Sequence, residues 1–103
     1  MTLLEKQIKF SVMAAKLILK AEELGYGVTL GDAFRDSRCP YGEPQSLHKK
    51  RLAIDLNLFR DGMFLPRTED HAQLGEWWES IGGSWGGRFK DGNHYSIEHN
   101  GKR

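Results

Sequence analysis

Two histidines and one aspartate have the residue types and the spacing of a metal site. His48 precedes Asp55 by seven positions, and His94 follows much later, three residues after Asp91. Two imidazoles and one carboxylate form a zinc ligand set that leaves a fourth position for water, whose pKa zinc lowers to about 7. The sequence therefore predicts a catalytic zinc site with His48, Asp55 and His94 as its ligands.

The segment that carries Asp55 has the alternation of a β-strand, predicted from Leu52 to Phe59. Successive side chains of a strand point to opposite faces, so its four aliphatic residues predict a face buried in a core. Asp55 falls on the other face, with Ala53 and Asn57. A carboxylate there is costly unless it is paired, hydrogen-bonded or bound to a metal. The four aliphatic residues are Leu52, Ile54, Leu56 and Leu58.

Two motifs resemble those of the zinc D-Ala-D-Ala carboxypeptidases and L-alanyl-D-glutamate endopeptidases. The first is Ser46-x-His48-x6-Asp55, with Ala53 two positions before the aspartate. The second is an acidic residue, two spacers and a histidine, which residues 91–94 match. The family includes vancomycin-resistance dipeptidases and carboxypeptidases and many phage endolysins. The chain resembles its small phage and prophage members of endolysin type over roughly its whole length.

Two positions depart from the family pattern. Arg51 stands where the family often has glycine, and Asp91 stands where dipeptidase-like members have glutamate. The second departure concerns the residue that the resemblance makes the catalytic base.

The resemblance implies an α+β fold of the Hedgehog and D-Ala-D-Ala peptidase type. A small antiparallel sheet would have helices packed on one face and a zinc cleft on the other. The implied reaction is hydrolysis of the peptidoglycan stem peptide at an L-Ala-D-Glu or a D-Ala-D-Ala bond. Asp91 would move the proton from water to the leaving amine. Arg35 would hold the oxyanion or a substrate carboxylate.

Ser46 and Trp85 are two further candidates for contact with the substrate. The Ser46 hydroxyl is expected either to meet the substrate or to fix the loop that carries His48. Trp85 lies in a glycine-rich stretch, 84–90, and the tryptophans are interpreted as core anchors and a cleft wall. The glycines of this stretch are expected to let backbone and substrate approach closely.

Length and charge limit the classes of protein that the chain can represent. Its 103 residues suffice for one domain, predicted to span 1–103, and a net charge of +1 argues against a nucleic-acid partner. No cationic leader and no apolar run of about 20 residues is present. We therefore expect a monomer that does not insert into the membrane, is made in the cytoplasm and acts on the cell wall after membrane permeabilisation. The single cysteine, Cys39, excludes an internal disulfide.

Periodicity and turn residues predict the remaining elements. The first helix is predicted from Thr2 to Leu24, with a capping box at its start and Gly25 as its stop. An Asp61-Gly62 turn predicts a hairpin, and a second helix is expected to start with Thr68 as its N-cap. The first helix takes its predicted apolar stripe from Leu4, Ile8, Val12, Met13, Leu17, Ala21 and Leu24. The other predictions are a strand at Tyr26–Leu30, a loop at 36–45, a return strand at 63–65, a last strand at 94–98 and a frayed tail from His99.

Other interpretations remain open at this point. The chain could be a catalytically inactive zinc-binding or wall-binding module, because Asp91 replaces glutamate. It could also be a small histidine-metal nuclease, which His94 and His99 suggest and the near-neutral charge disfavours. Cys39 could be a ligand or a nucleophile. His71 is interpreted as a surface residue rather than a ligand.

Overall fold

Residues 1–36, 38 and 46–103 are described by a computed structural model of the chain. Cys39 and most of the loop predicted at 36–45 lie outside the described residues. The described elements confirm the predicted α+β class. In chain order they are α1 (Leu3–Glu23), β1 (Gly27–Leu30), β2 (Ala53–Arg60), β3 (Met63–Leu65), α2 (Ala72–Ser80), β4 (Ser84–Trp85) and β5 (His94–Ser96). Short 3-10 turns occur at Leu47–Lys50, Thr68–His71 and Gly86–Phe89.

The predicted capping box starts α1. The Glu5 backbone N–H donates to Thr2 Oγ1 at 3.1 Å, and the Thr2 N–H donates to Glu5 Oε1 at 2.8 Å. These reciprocal bonds satisfy donors that a helix start leaves without partners. Gly25, with φ of 91°, follows the Leu24 cap and ends the helix as predicted. In the described residues, no helix has the length and apolar character needed to cross a membrane.

Only the second half of the apolar stripe predicted for α1 is buried. In its first half, Leu4, Ile8 and Val12 are 63%, 57% and 52% exposed. At 3.6 residues per turn, the runs 4-8-12 and 13-17-21 lie on roughly opposite sides of a helix. One continuous stripe therefore cannot join them. The buried residues of α1 are Phe10, Met13, Ala14, Leu17 and Ala21.

Five antiparallel strands form the described sheet, in the order β1-β2-β5-β4, with β3 beside the second half of β2. The β2–β3 hairpin closes at Asp61 and Gly62, whose φ values of 52° and 77° are both positive, as a type I′ turn requires. This confirms the Asp-Gly turn prediction. The strand β4 was not predicted from the sequence.

The face of β2 that was predicted to be apolar is buried against the helices. Leu52, Leu56 and Leu58 are fully buried, and Ile54 is nearly so. They belong to one cluster with the buried side chains of α1 and α2. Asp55 lies on the other face of the strand, because the two faces alternate. The helices therefore cover one side of the sheet and leave Asp55 on the other.

Trp78 of α2 joins the helices to the sheet. Its ring makes edge contacts with Phe10 at 6.0 Å and with Tyr95 at 6.1 Å between ring centroids. Its indole N–H donates to the carbonyls of Ser84 and Ser96. The predicted N-cap at Thr68 is wrong. The Thr68 hydroxyl instead accepts from the Gly92 N–H at 3.2 Å, while the Arg67 N–H donates to Asp70 at the start of the 3-10 turn.

The residues after β5 form a hairpin instead of a frayed tail. The strand ends at Ser96, and His99 and Lys102 then exchange two backbone hydrogen bonds, each 2.9 Å long. Asn100 and Gly101 have φ values of 50° and 81°, which again fit a type I′ turn. Asn-Gly is the preferred sequence for that turn, so this signal was present in the sequence. The segment from His99 to Lys102 is called the 99–102 hairpin below.

Candidate metal centre and cleft

His48 is presented by a short 3-10 turn that the Ser46 side chain caps. The Ser46 hydroxyl accepts from the His48 backbone N–H at 3.2 Å. Ser46 is buried, so this hydroxyl fixes the loop, which is one of the two roles predicted for it. The turn ends at Arg51, whose N–H donates to the His48 carbonyl at 3.4 Å. His48 is thereby held at the mouth of β2.

Arg51 has a left-handed backbone, with φ of 58° and ψ of 35°. This conformation is disfavoured for residues with a Cβ and free for glycine. It gives a physical reason for the glycine that the resembling family often has here. The Arg51 guanidinium lies 4.1 Å from the ring centroid of Phe34, and this cation–π contact offsets part of the backbone cost.

Asp55 and His94 are direct partners across the β2–β5 pair. Directly opposite residues of antiparallel strands point to the same face, with their side chains in contact. His94 Nδ1 lies 3.6 Å from Asp55 Oδ1, and His48 Nε2 lies 3.1 Å from the same oxygen. One ligand atom from each of the three residues lies within 4.8 Å of the other two. The structure therefore brings together the three predicted ligands, His48, Asp55 and His94, which are called the ligand cluster below.

The protonation states of the cluster suit a divalent cation. Burial raises the pKa of Asp55, but hydrogen bonds from His48 and His94 and their positive charge outweigh it and lower the pKa to about 2. Asp55 is therefore a carboxylate at neutral pH. The outer nitrogens, His48 Nδ1 and His94 Nε2, are buried and have no hydrogen-bond partner among the described residues. Nitrogens of both rings and one carboxylate oxygen thus face a common point, and a nitrogen–nitrogen–oxygen set of this kind fits zinc, which would take the place of the protons between them.

Arg35 lies at the same cluster because the chain after β1 continues along β2. The Gly31 N–H donates to the Asp55 carbonyl, and the Asp55 N–H donates to the Asp32 carbonyl, both at 2.8 Å. The Arg35 N–H then donates to the His48 carbonyl at 3.0 Å. Its side chain is 10% exposed and pairs with Asp32 at 3.0 Å. The salt bridge with Asp32 therefore holds a mostly buried arginine side chain beside the cluster of His48, Asp55 and His94.

Asp91 lies in the turn before β5, and not on the strand itself. On a regular strand, its side chain and that of His94 would point to opposite faces, so this position is needed for Asp91 to reach the cavity. The His94 N–H donates to the Asp91 carbonyl at 3.1 Å, and Asp91 Oδ2 lies 3.9 Å from His94 Nδ1. The Asp91 side chain is 54% exposed and is not a member of the ligand cluster. Gly86 allows this arrangement, because a Cβ there would lie 2.2 Å from the Asp91 carbonyl oxygen.

A cavity of about 530 Å³ opens over the cluster. It is lined by six of the predicted site residues and by five others that were not predicted from the sequence. Phe89, one of these, places its ring 5.8 Å from that of His94. The predicted members are Arg35, Ser46, His48, Asp55, Asp91 and His94, and the additional ones are Leu47, Phe89, Gly101, Lys102 and Arg103.

Trp85 does not reach this cavity. It is the register partner of Tyr95, so its side chain lies on the core face of the sheet, opposite to that of His94. It is 5% exposed, and its indole N–H donates to the Gly92 carbonyl at 2.8 Å. The core-anchor interpretation matches this position, and the predicted contact of Trp85 with a substrate does not.

The remaining histidines lie outside the ligand cluster. His71 is 3% exposed, which contradicts its interpretation as a surface residue. Its Nδ1 lies 2.7 Å from the Tyr95 hydroxyl. Burial lowers the pKa of His71 to about 4 and raises the pKa of Tyr95, so the phenol donates to a neutral imidazole. His99, on which the nuclease alternative drew, lies 3.1 Å from Lys6 Nζ and does not line the cavity.

A comparison with known families identifies the class of this protein. A family model described as D-alanyl-D-alanine carboxypeptidase matches residues 41–97, which is more than half of the chain. The chain therefore belongs to the D-alanyl-D-alanine carboxypeptidase family of peptidases. The match includes His48, Asp55, Asp91 and His94, whereas Arg35 and the 99–102 hairpin lie outside it. No curated protein matches the chain.

Proposed function

We propose that this protein is a zinc peptidase that hydrolyses a peptide bond of the peptidoglycan stem peptide. One observation carries the proposal: a ligand cluster of His48, Asp55 and His94 lies in an open cavity beside the separate carboxylate of Asp91. Family membership supports the peptidase class. The bond would be L-Ala-D-Glu or D-Ala-D-Ala, within one domain formed by residues 1–103.

His48 Nε2, Asp55 Oδ1 and His94 Nδ1 would hold the ion. Bound zinc would supply a water of lowered pKa and polarise the scissile carbonyl. The three protein ligands are buried or half-buried, so their geometry is held by the strand pair and the capped turn. A position for water remains, because the chain supplies three ligands among the described residues.

Asp91 would act as the general base and then as the general acid. Its carboxylate is about half exposed, at the edge of the ligand cluster, and can meet a water molecule in the cavity. It would accept a proton from the attacking water and donate it to the nitrogen of the leaving amine. A separate carboxylate is needed for this role, because Asp55 faces both histidines and would be occupied as a ligand.

Arg35 would stabilise negative charge that develops on the substrate. Its guanidinium stays protonated at working pH and donates in a planar fork that matches an oxyanion or a carboxylate. The salt bridge to Asp32 uses one end of this fork and holds the side chain at the cavity wall. Ser46 contributes by fixing the backbone that carries His48.

The cell wall would be the site of action. We propose a monomer that is made in the cytoplasm and reaches the wall after the membrane has been permeabilised, as phage or prophage lysis requires. Its partner would be the stem peptide, without nucleic acid and without membrane insertion. The expected behaviour is harmless expression inside a bacterium and lysis when permeabilised cells or isolated walls are treated. Intact walls after treatment would exclude the lytic role and favour a narrower dipeptidase.

The deciding experiment is digestion of purified peptidoglycan, with the new termini identified by mass spectrometry. A new D-Glu amino terminus would indicate an L-Ala-D-Glu endopeptidase, and released D-alanine a carboxypeptidase. The variant Asp91→Ala is the control, because it should bind zinc and yield no new termini. Zinc binding by the unmodified protein without cleavage of either bond would contradict the proposal and leave a zinc-binding or wall-binding module.

A further inference from the structure

The chain between Phe89 and His94 forms the turn before β5, which is called the Asp91 turn below. Its backbone is fixed at three points. The Asp91 N–H donates to the Gly86 carbonyl at 2.9 Å, and the Asp91 carbonyl accepts from the His94 N–H at 3.1 Å. The third bond leaves the turn, because the Gly92 N–H donates to the Thr68 hydroxyl at 3.2 Å. Both polar atoms of the planar peptide group between Asp91 and Gly92 are therefore engaged, which fixes its orientation.

Thr68 reaches the Asp91 turn from a segment 24 positions earlier in the sequence. It begins the 3-10 turn Thr68–His71, which leads into α2. This 3-10 turn is itself anchored to β5, because His71 Nδ1 lies 2.7 Å from the Tyr95 hydroxyl and both side chains are buried. The Thr68 hydroxyl is therefore presented to the Asp91 turn by a support that is held independently of it.

Gly92 packs directly against Thr68. A Cβ at Gly92 would lie 2.5 Å from Thr68 Cα and 3.0 Å from Thr68 Cβ, so the absence of a side chain allows this close approach. Gly92 is buried, and the Thr68 hydroxyl is the acceptor that the described residues provide for its N–H. The Gly92 carbonyl accepts from the Trp85 indole N–H at 2.8 Å. Two side chains thus hold the residue that follows Asp91.

The Asp91 carboxylate depends on this backbone more than the ligand cluster does. Its side chain is 54% exposed, and its Oδ2 lies 3.9 Å from His94 Nδ1, which is too far for a hydrogen bond. His94, in contrast, is buried and is held by its pairing with Asp55 in the β2–β5 strand pair. A change in the Asp91 turn should therefore displace the carboxylate of Asp91 and leave the ligands in place.

We propose that Thr68 is a positioning residue, whose hydroxyl fixes the Asp91 turn and so places the Asp91 carboxylate for proton transfer. The proposal rests on the proposed peptidase function, because it concerns the general base of that reaction. Thr68 does not line the cavity of the ligand cluster, so it acts through Gly92. A displacement of about 1 Å in a reacting group can lower the rate by up to about a hundredfold.

The experiment measures stem-peptide hydrolysis by the zinc-loaded protein, by Thr68→Val and by Thr68→Ser. Valine has nearly the shape of threonine without the acceptor, whereas serine keeps the hydroxyl. Thr68→Val should lower kcat about tenfold or more, with KM within about twofold and one zinc per chain retained. Thr68→Ser should keep most of kcat. The assay temperature is one at which all variants are folded, because a buried N–H without a partner also lowers stability.

Thr29→Val is the matched control, because it makes the same substitution at a hydroxyl that does not contact the Asp91 turn. The Thr29 hydroxyl accepts from Asn57 Nδ2 at 3.3 Å in an exposed position on β1. Thr29 does not line either of the cavities that Asp91 lines. Thr29→Val should therefore leave both kcat and KM unchanged.

Hydrogen exchange of the Gly92 amide tests the contact without any reaction. The loss of its acceptor should speed this exchange about tenfold or more in Thr68→Val, since the Asp91 turn then opens locally. Thr68→Ser and Thr29→Val should exchange at nearly the rate of the unmodified protein. The amide signals of Asp91 and Gly92 should also move in the nuclear magnetic resonance spectrum of Thr68→Val, while those of β1 stay in place.

The outcomes separate this proposal from the peptidase function. If the unmodified protein cleaves the peptide and Thr68→Val keeps its kcat, or Thr68→Ser loses as much, the role of Thr68 is overturned and the peptidase function stands. Loss of zinc in Thr68→Val also overturns it, because the hydroxyl would then support a ligand. If the unmodified protein does not cleave the peptide, the peptidase function fails, and exchange decides about Thr68. Equal Gly92 exchange in Thr68→Val overturns its role in fixing the turn, and faster exchange confined to the Asp91 turn supports it.

Discussion

Asp55 and His94 are 39 positions apart in the sequence and directly opposite one another in the β2–β5 strand pair. This register places their side chains on one face, with Asp55 Oδ1 3.6 Å from His94 Nδ1. His48 joins the same oxygen from the capped turn before β2. The ligand set is therefore formed by a strand pairing, and a slip of one residue would turn His94 to the opposite face.

Zinc should bind this cluster and stabilise the fold. We expect one zinc per chain by elemental analysis, lost in His48→Ala, Asp55→Ala and His94→Ala. Chelation should lower the thermal midpoint, because an ion that binds only the folded state adds about 2.7 kcal/mol at a hundred times its Kd. Lys50→Gln is the control and should retain its zinc. Full zinc content in any of the three alanine variants would remove that residue from the ligand set.

Asp91→Ala should separate catalysis from metal binding. Since Asp91 is proposed to move a proton and is not in the ligand cluster, the variant should keep its zinc and its thermal midpoint. Peptide hydrolysis should fall about a hundredfold or more, the usual effect of removing a positioned general base. His94→Ala should lose both zinc and activity. Unchanged activity in Asp91→Ala would make Asp91 an ordinary turn residue and direct the search for the base to Glu98.

Asp91→Glu tests whether the turn is adapted to aspartate. The longer side chain moves the carboxylate by more than about 1 Å. Asp91 is held by backbone hydrogen bonds to Gly86 and His94, so we expect the carboxylate to overshoot and kcat to fall while zinc content is unchanged. Activity equal to that of the unmodified protein would show that this turn adjusts to either residue.

Arg51 allows the cost of its left-handed backbone to be measured. Arg51→Ala and Arg51→Gly both lose the contact with Phe34, and they differ in the freedom to adopt φ of 58°. Arg51→Gly should therefore be more stable than Arg51→Ala by about 1 kcal/mol in chemical denaturation. Equal stability of the two variants would mean that the turn relaxes away from this conformation when the guanidinium is removed.

Gly86→Ala should damage both the fold and the metal centre. Its Cβ would lie 2.2 Å from the Asp91 carbonyl oxygen and 2.7 Å from His94 Cβ, and the first of these is rigid backbone. We expect a loss of about 1–3 kcal/mol in the free energy of unfolding, together with weaker zinc binding. Gly27→Ala is the matched control, because its Cβ would meet Phe59 at 3.6 Å, an ordinary contact. A wild-type zinc affinity in Gly86→Ala would show that the turn can shift without moving His94.

His71 should make the metal-free protein sensitive to acid. Burial lowers its pKa from 6.5 to about 4, so the folded state binds fewer protons than the unfolded state between these values. Its contribution to stability is complete above pH 6.5 and declines as the pH falls toward 4, by on the order of 2 kcal/mol at pH 5. His71→Gln should reduce this decline. The thermal midpoints of the unmodified protein and of His71→Gln are compared at pH 7 and pH 5 in the presence of a chelator. An equal decline in the two proteins would contradict this role of His71.

Local sequence signals determined several elements of this protein. The capping box of α1, the alternation of β2 and the Asp61-Gly62 turn each depend on neighbours a few residues apart, and each was predicted with nearly the observed bounds. His48 and Asp55 could be recognised together for the same reason, since they flank the start of one strand.

The tertiary structure decided the features that depend on distant pairings. The register of β4 against β5 places Trp85 on the core face, although Trp85 was predicted to contact the substrate. Packing against α2 buries one of two apolar stripes on α1 and leaves Leu4, Ile8 and Val12 exposed. His71 is buried because it meets the Tyr95 hydroxyl, 24 positions away. None of these partners is visible in a local pattern.

The cavity also combines residues that local sequence signals predicted with residues that only the tertiary structure brings in. Residue types and spacing predicted that His48, Asp55 and His94 would lie together, because the chemistry of a metal site restricts which side chains can form it, and the family resemblance added Asp91. Phe89 and Lys102 line the same cavity, and no local pattern marked them. Phe89 ends a 3-10 turn and its ring lies beside His94, at the start of β5. Lys102 belongs to the 99–102 hairpin, beside the turn that carries His48. Such contacts between segments far apart in sequence are set only when the whole chain packs.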